Sequence, residues 1–119
     1  MRKYLHEWQK PFDIGGFHFS SILQAEAILM FLNYRGNVKL IASKMGNTNR
    51  IPIDAKLRRF RKDNNFDNNI HMVMRLVGRM GFWNELDGYL KVNKDLLAEA
   101  KLRAELGRQA LIKRRKNHE

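Results

Sequence analysis

Residues 21–34 read SILQAEAILMFLNY. Ser21 followed by Gln24 fits a capping box, in which side chains satisfy the free amides of the first helical turn. No Gly or Pro interrupts the segment, and residues 28–32 are apolar on almost every side. Because a helix that is apolar all round has to be covered by other elements, the sequence predicts a central helix over residues 21–34 with the rest of the chain packed around it.

Three shorter helices are predicted after this central one. Asn37 can cap a helix over residues 38–45, which Gly46 ends. A third helix is predicted over residues 53–62 and a fourth over about 68–80. The residues expected to face inward are Val38, Ile41, Ala42 and Met45 in the first of these helices, Ile53, Leu57 and Phe60 in the next, and Ile70, Val73, Met74 and Val77 in the last.

Two segments carry turn signals between possible strands. Asp87-Gly88 separates residues 82–86 from residues 89–92, and Asp-Gly supplies the positive φ angles that a two-residue hairpin turn needs. Gly15-Gly16 gives a weaker signal for a tight turn or small hairpin within the aromatic segment before Ser20. A last helix, rich in Ala, Leu, Glu, Lys and Arg, is predicted from Lys94 to about Lys113.

The 119 residues fit a single compact domain with a basic tail. We expect an aromatic N-terminal arm over residues 1–19, a helical body over 20–93 and a C-terminal helix with a basic tail over 94–119. Cysteine is absent, so the fold depends on apolar burial instead of disulfides or the usual zinc ligands.

Charge is the most unusual feature of the composition. Lysine and arginine number 23 against 12 aspartates and glutamates, which gives a formal net charge of +11. Such an excess on a small domain favours a polyanionic partner, and nucleic acid is the commonest one. No segment is long and apolar enough to cross a bilayer, so we expect a cytoplasmic protein, associated with the nucleoid if it is prokaryotic or viral.

The order of short helices, a helix with basic exposed residues and an immediately following hairpin resembles the winged helix-turn-helix superfamily. Residues 74–83 with the hairpin after them resemble the end of a recognition helix and a wing, and residues 41–46 resemble an opening helix. The resemblance covers residues 20–93. It implies a winged-helix-like DNA-binding domain with one β-hairpin. With the last helix added, the expected fold is mainly α, winged-helix-like, with one β-hairpin and a long C-terminal helix.

The helix over residues 53–62 departs from that family pattern, since a simple helix-turn-helix has only one helix after Gly46. Either this helix is the recognition element after a long turn, or it is an insertion and residues 68–80 read the groove. The hairpin expected directly after Met80 favours the second assignment.

The candidate nucleic-acid contacts fall into three groups. Asn and Arg on the fourth helix can bond base edges, the dense cations of the third helix suit phosphate contacts, and isolated cations follow in the wing and the tail. The fourth helix contributes Asn68, Asn69, His71, Arg75 and Arg79, with Met72 on the same predicted face; the third contributes Lys56, Arg58, Arg59, Arg61 and Lys62; the wing and tail contribute Lys91, Arg114 and Arg115.

Nothing in the sequence indicates catalysis, a cofactor or a metal site, because the histidines lack ligand spacing and no Gly-rich phosphate loop occurs. We therefore expect a duplex DNA-binding protein, a transcription or replication regulator, and not an enzyme. One alternative is an adaptor that docks on a polymerase or ribosome through residues 8–19 and the last helix, which could also pair two copies into a homodimer. RNA binding is another.

Overall fold

The computed structural model describes residues 6–47 and 49–117, with side chains as far as Arg114. This part of the chain forms one two-stranded hairpin and six α-helices, with a 3-10 turn at Glu7–Gln9. The strands are β1 (Phe12–Ile14) and β2 (Phe17–Phe19), and the helices are α1 (Ile22–Asn33), α2 (Val38–Lys44), α3 (Ile51–Asp63), α4 (Asn69–Gly78), α5 (Phe82–Val92) and α6 (Lys94–Asn117). The predicted mainly α class with a long C-terminal helix is confirmed, and the one hairpin lies near the N-terminus.

Helix α1 is the centre of the fold, as its sequence predicts. Nine of its twelve residues are buried, and the helix contacts α2, α3, α5 and α6. Ser21 Oγ accepts a hydrogen bond from the Gln24 amide at 3.2 Å, which caps the first turn. The buried Gln24 side chain also donates to the Lys56 carbonyl at 3.2 Å, so one residue both starts α1 and ties it to α3.

The weakly signalled N-terminal hairpin is present. β1 and β2 pair antiparallel around Gly15 and Gly16, whose φ angles of 60° and 86° are the positive values that such a turn requires. Phe19 is fully buried, with its ring centroid 4.9 Å from that of Phe60 on α3. The aromatic arm therefore belongs to the hydrophobic core.

Asn64, just after α3, fixes the hairpin to the body. Its Oδ1 accepts from the His18 amide at 2.7 Å, and its Nδ2 donates to the His18 carbonyl at 2.9 Å. The side chain thus satisfies both backbone groups of an edge-strand residue, as a neighbouring strand would.

The hairpin predicted around Asp87-Gly88 is wrong, because residues 82–92 form helix α5. Phe82, Leu86 and Leu90 lie four residues apart and are all buried. The burial of this helical stripe outweighs the cost of about 1 kcal/mol that a glycine adds in a helix interior. The wing that carried the winged-helix resemblance is thus replaced by a helix.

The inward face predicted for α4 is also wrong. Met72 and Leu76 are buried, whereas Ile70, Met74 and Val77 are exposed. Val73 is half-buried against the core. Helix α4 therefore carries apolar residues on two faces, of which only one is used by the fold.

Helix α6 buries no residue after its second turn in the described part of the chain. Ala100 is its last buried residue, and the described residues from Lys101 to Arg114 are exposed. Two contacts hold its middle portion: Lys101 Nζ lies 2.6 Å from Glu26 Oε2, and Arg108 Nη1 donates to Asn47 Oδ1 at 3.0 Å.

Candidate nucleic-acid interface

Helix α3 presents a cationic stripe to solvent. Ala55, Arg58, Arg59 and Lys62 follow the i, i+3, i+4, i+7 spacing of one helix face, and with Asp63 they line a shallow cleft. The opposite face buries Ile53, Leu57 and Phe60 in the core. Because these three apolar side chains fix the rotation of the helix, the cations are held outward.

Ion pairing neutralises this stripe only in part. Arg59 Nε lies 3.5 Å from Asp63 Oδ2 one turn later, and both groups are solvent-accessible. Exposed pairs of this kind are worth about 0–1 kcal/mol, so a phosphate can replace the carboxylate. No ion pair formed among the described side chains involves Arg58 or Lys62.

A second polar cleft lies where α2 meets the amino end of α3. Its lining is hydroxyl, amide and cationic, and it comes from α2 and from the connection to α3. The residues that line it are Lys39, Ala42, Ser43, Asn47, Asn49 and Arg50. Asn49 Oδ1 accepts from the Ile51 amide at 2.9 Å, which organises the first turn of α3 beside this cleft.

These two clefts lie in a segment with a large excess of cations. Residues 35–62 hold nine lysines and arginines and one acidic residue, Asp54. The sequence predicted the cations of α3 as phosphate contacts, but Lys39, Ser43, Asn49 and Arg50 were not among the predicted contacts. The signal that could have found them is this local excess over a helix, a turn and a second helix. We call the outward stripe of α3 and the cleft at its amino end the α2–α3 surface.

Two of the predicted phosphate contacts on α3 point elsewhere. Lys56 is half-buried and lines a groove between α3 and α6. Burial lowers the pKa of Lys56, the nearby Arg108 lowers it further, and Glu26 opposes both. Arg61 is half-buried and donates through Nη1 to Asn69 Oδ1, so it joins α3 to α4.

The predicted reading face of α4 is largely engaged in structural roles. Asn68 Oδ1 caps the helix by accepting from the His71 amide at 2.8 Å. The half-buried His71 ring accepts from the Asp67 amide at 3.0 Å and stands edge-on to Phe66. Met72, expected on the exposed face, is fully buried. These residues do not form a surface that could enter a groove.

The remaining candidates are dispersed. Arg75 is exposed, and Arg79 Nε donates to the Gly15 carbonyl at 3.1 Å, which holds the hairpin turn. Lys91 on α5 pairs with Asp87 at 2.8 Å, and this contact raises the pKa of Lys91. Arg114 is exposed near the end of α6, and the Arg115 side chain lies outside the described part of the chain.

No protein-family model, curated protein or solved structure matches this chain. Within residues 6–47 and 49–117, no helix is both long and apolar enough to span a membrane. The same residues contain no cluster of three or more His, Asp or Glu side chains that could hold a metal ion.

Proposed function

We propose that this protein binds double-stranded DNA through the α2–α3 surface, with α3 as the helix that enters the major groove. The observation that carries the proposal is the outward stripe of Arg58, Arg59 and Lys62 on a helix anchored by three buried apolar residues. DNA binding of this kind suits a transcription or replication regulator.

The stripe has the composition that a major-groove helix needs. Arginine pairs with the guanine edge through two hydrogen bonds, and lysine and arginine neutralise phosphates. Ala55 lies one turn before Arg58 and Arg59, and its small side chain allows close approach and can contact a thymine methyl group. The major groove of an A-form RNA helix is too deep and narrow to admit this face, which favours DNA over duplex RNA.

Because α5 stands in place of the wing, no hairpin follows residues 68–80 to favour them as the reading helix. The first assignment, in which α3 is the recognition element after a long turn from α2, now has better support. Helix α2 packs on α3, and Lys39 and Arg50 line the same cleft at the amino end of α3, where they could contact phosphates.

The test is a titration of labelled duplex DNA across a salt series with charge-matched variants. Arg58→Glu/Lys62→Glu should weaken binding and reduce the slope of log affinity against log salt by about 2, since each phosphate contact contributes about 0.9. Lys94→Glu/Arg103→Glu on α6 changes net charge equally and should have a much smaller effect. Equal losses in the two double variants would assign binding to net charge and refute the α2–α3 surface.

A further inference from the structure

A second exposed surface differs in chemistry from the α2–α3 surface. Ile70, Met74 and Val77 follow the i, i+4, i+7 spacing along the outer face of α4 and are 73%, 69% and 55% exposed. With Phe31 and Trp83 they line an open groove of about 440 Å³, which we call the α4 groove. A contiguous apolar patch on a small domain marks an interaction site more often than scattered apolar residues do.

The groove is organised before anything binds. Trp83 Nε1 donates to Asn33 Oδ1 at 2.9 Å, which fixes the indole between α5 and the end of α1. Asn69, at the other end of the groove, is held by Arg61. An aromatic side chain whose orientation is already fixed loses little conformational entropy when a partner covers it.

The charge around the groove indicates what kind of partner it can bind. Arg35 is the one charged residue in the described lining. No acidic side chain belongs to the described lining. A second copy of this +11 chain would bring the same cations against one another, and residues 1–5 (MRKYL) would add positive charge. The charge is therefore complementary to an acidic partner.

We propose that the α4 groove binds an amphipathic helix of another protein, with acidic residues beside its apolar stripe. The i, i+4, i+7 row along α4 forms a ridge against which a second helix packs. Glutamates flanking the partner's apolar stripe would meet Arg35. This proposal uses none of the residues of the α2–α3 surface, so it stands or fails separately from DNA binding.

The experiment uses the full-length protein and two fluorescein-labelled peptides of about 18 residues. One peptide has leucines at i, i+3, i+4 and i+7 flanked by glutamates, and its twin has lysine at every glutamate position. Anisotropy titrations compare the wild type with Val77→Asp, in the groove, and Val92→Asp, an exposed valine outside the groove lining. Circular dichroism checks that both variants stay folded.

The glutamate peptide should bind, Val77→Asp should weaken it by at least about 10-fold, and Val92→Asp should change affinity by less than about 2-fold. Arg35→Glu should weaken the glutamate peptide and strengthen the lysine twin, whereas Lys94→Glu should do neither. The proposal is overturned if neither peptide binds, if both bind alike, or if the two valine variants behave the same. A wild-type dimer in light scattering that Val77→Asp dissolves would assign the groove to a second copy instead.

Discussion

Replacing Gly88 with alanine should stabilise the protein. Gly88 lies in the interior of α5, its φ is not positive, and an added Cβ would meet no heavy atom within 4 Å. Alanine loses less backbone entropy than glycine on entering a helix, and it adds no clash here. Gly88→Ala should therefore raise the free energy of unfolding by about 0.5–1 kcal/mol.

For a domain of this size that gain corresponds to a rise in Tm of about 2–6 °C, measured by the far-UV circular dichroism of a thermal melt. Gly107→Ala is the matched helical control, because Gly107 lies in α6 with equally open surroundings, and it should not lower Tm. Gly36→Ala is the negative control: Gly36 has a φ of 78°, and its added Cβ would lie 3.3 Å from Phe31 Cζ.

The direction of the change in Tm for Gly88→Ala distinguishes a helix at residues 82–92 from a hairpin. If residues 82–92 formed a hairpin with an Asp-Gly turn, alanine at position 88 would need a left-handed backbone and would cost about 1–2 kcal/mol. A lower Tm for Gly88→Ala, together with an unchanged or higher Tm for Gly107→Ala, would refute helix α5 and restore the wing.

Three further outcomes are expected. Asn64→Ala should lower the free energy of unfolding by about 1–2 kcal/mol because both backbone groups of His18 lose their partner; an effect no larger than that of Asn84→Ala would contradict this role. Lys56→Met should be more stable than the wild type near pH 7, because the pKa of Lys56 is lowered in the folded protein and the unfolded chain therefore binds this proton more tightly. Urea denaturation should show the difference in unfolding free energy between the two proteins shrinking as pH rises toward the ordinary lysine pKa of 10.5. A difference that does not depend on pH would exclude the lowered pKa as its cause. Removal of residues 109–119 should leave Tm nearly unchanged, because every described side chain in this segment is exposed, while lowering the salt slope of DNA binding; an unchanged slope would exclude Arg114 and Arg115 as contacts.

Most of the helical framework could be predicted from the sequence because local signals agree with burial there. Residues 21–34 combine a Ser cap, a breaker-free run and an apolar surface, and the structure places α1 at Ile22–Asn33. The segments expected to form α2, α3 and α6 are helical for similar reasons, with bounds that differ by a few residues. The aromatic turn around Gly15-Gly16 also forms the predicted hairpin.

The failure at residues 82–92 arose because two signals competed. Asp87-Gly88 is a strong local turn signal, but Phe82, Leu86 and Leu90 have a helical period and all three are buried. Tertiary burial of about 1.5–3 kcal/mol for each large apolar side chain exceeds the turn preference of one dipeptide. The predicted DNA-reading helix changed from α4 to α3 for the same reason, since the reading role of α4 depended on a wing after it.

The error at α4 has a different cause. Residues 70, 72, 73, 74, 76 and 77 are all apolar, so periodicity alone cannot decide which stripe faces the core. Met72 and Leu76 enter the core there, Val73 packs partly against it, and Ile70, Met74 and Val77 remain in solvent at a cost in hydration. Helix α4 therefore has more apolar residues than the core buries, and folding does not explain the exposed ones. Together with Trp83 and Arg35, those residues line the α4 groove, for which we propose a helical partner.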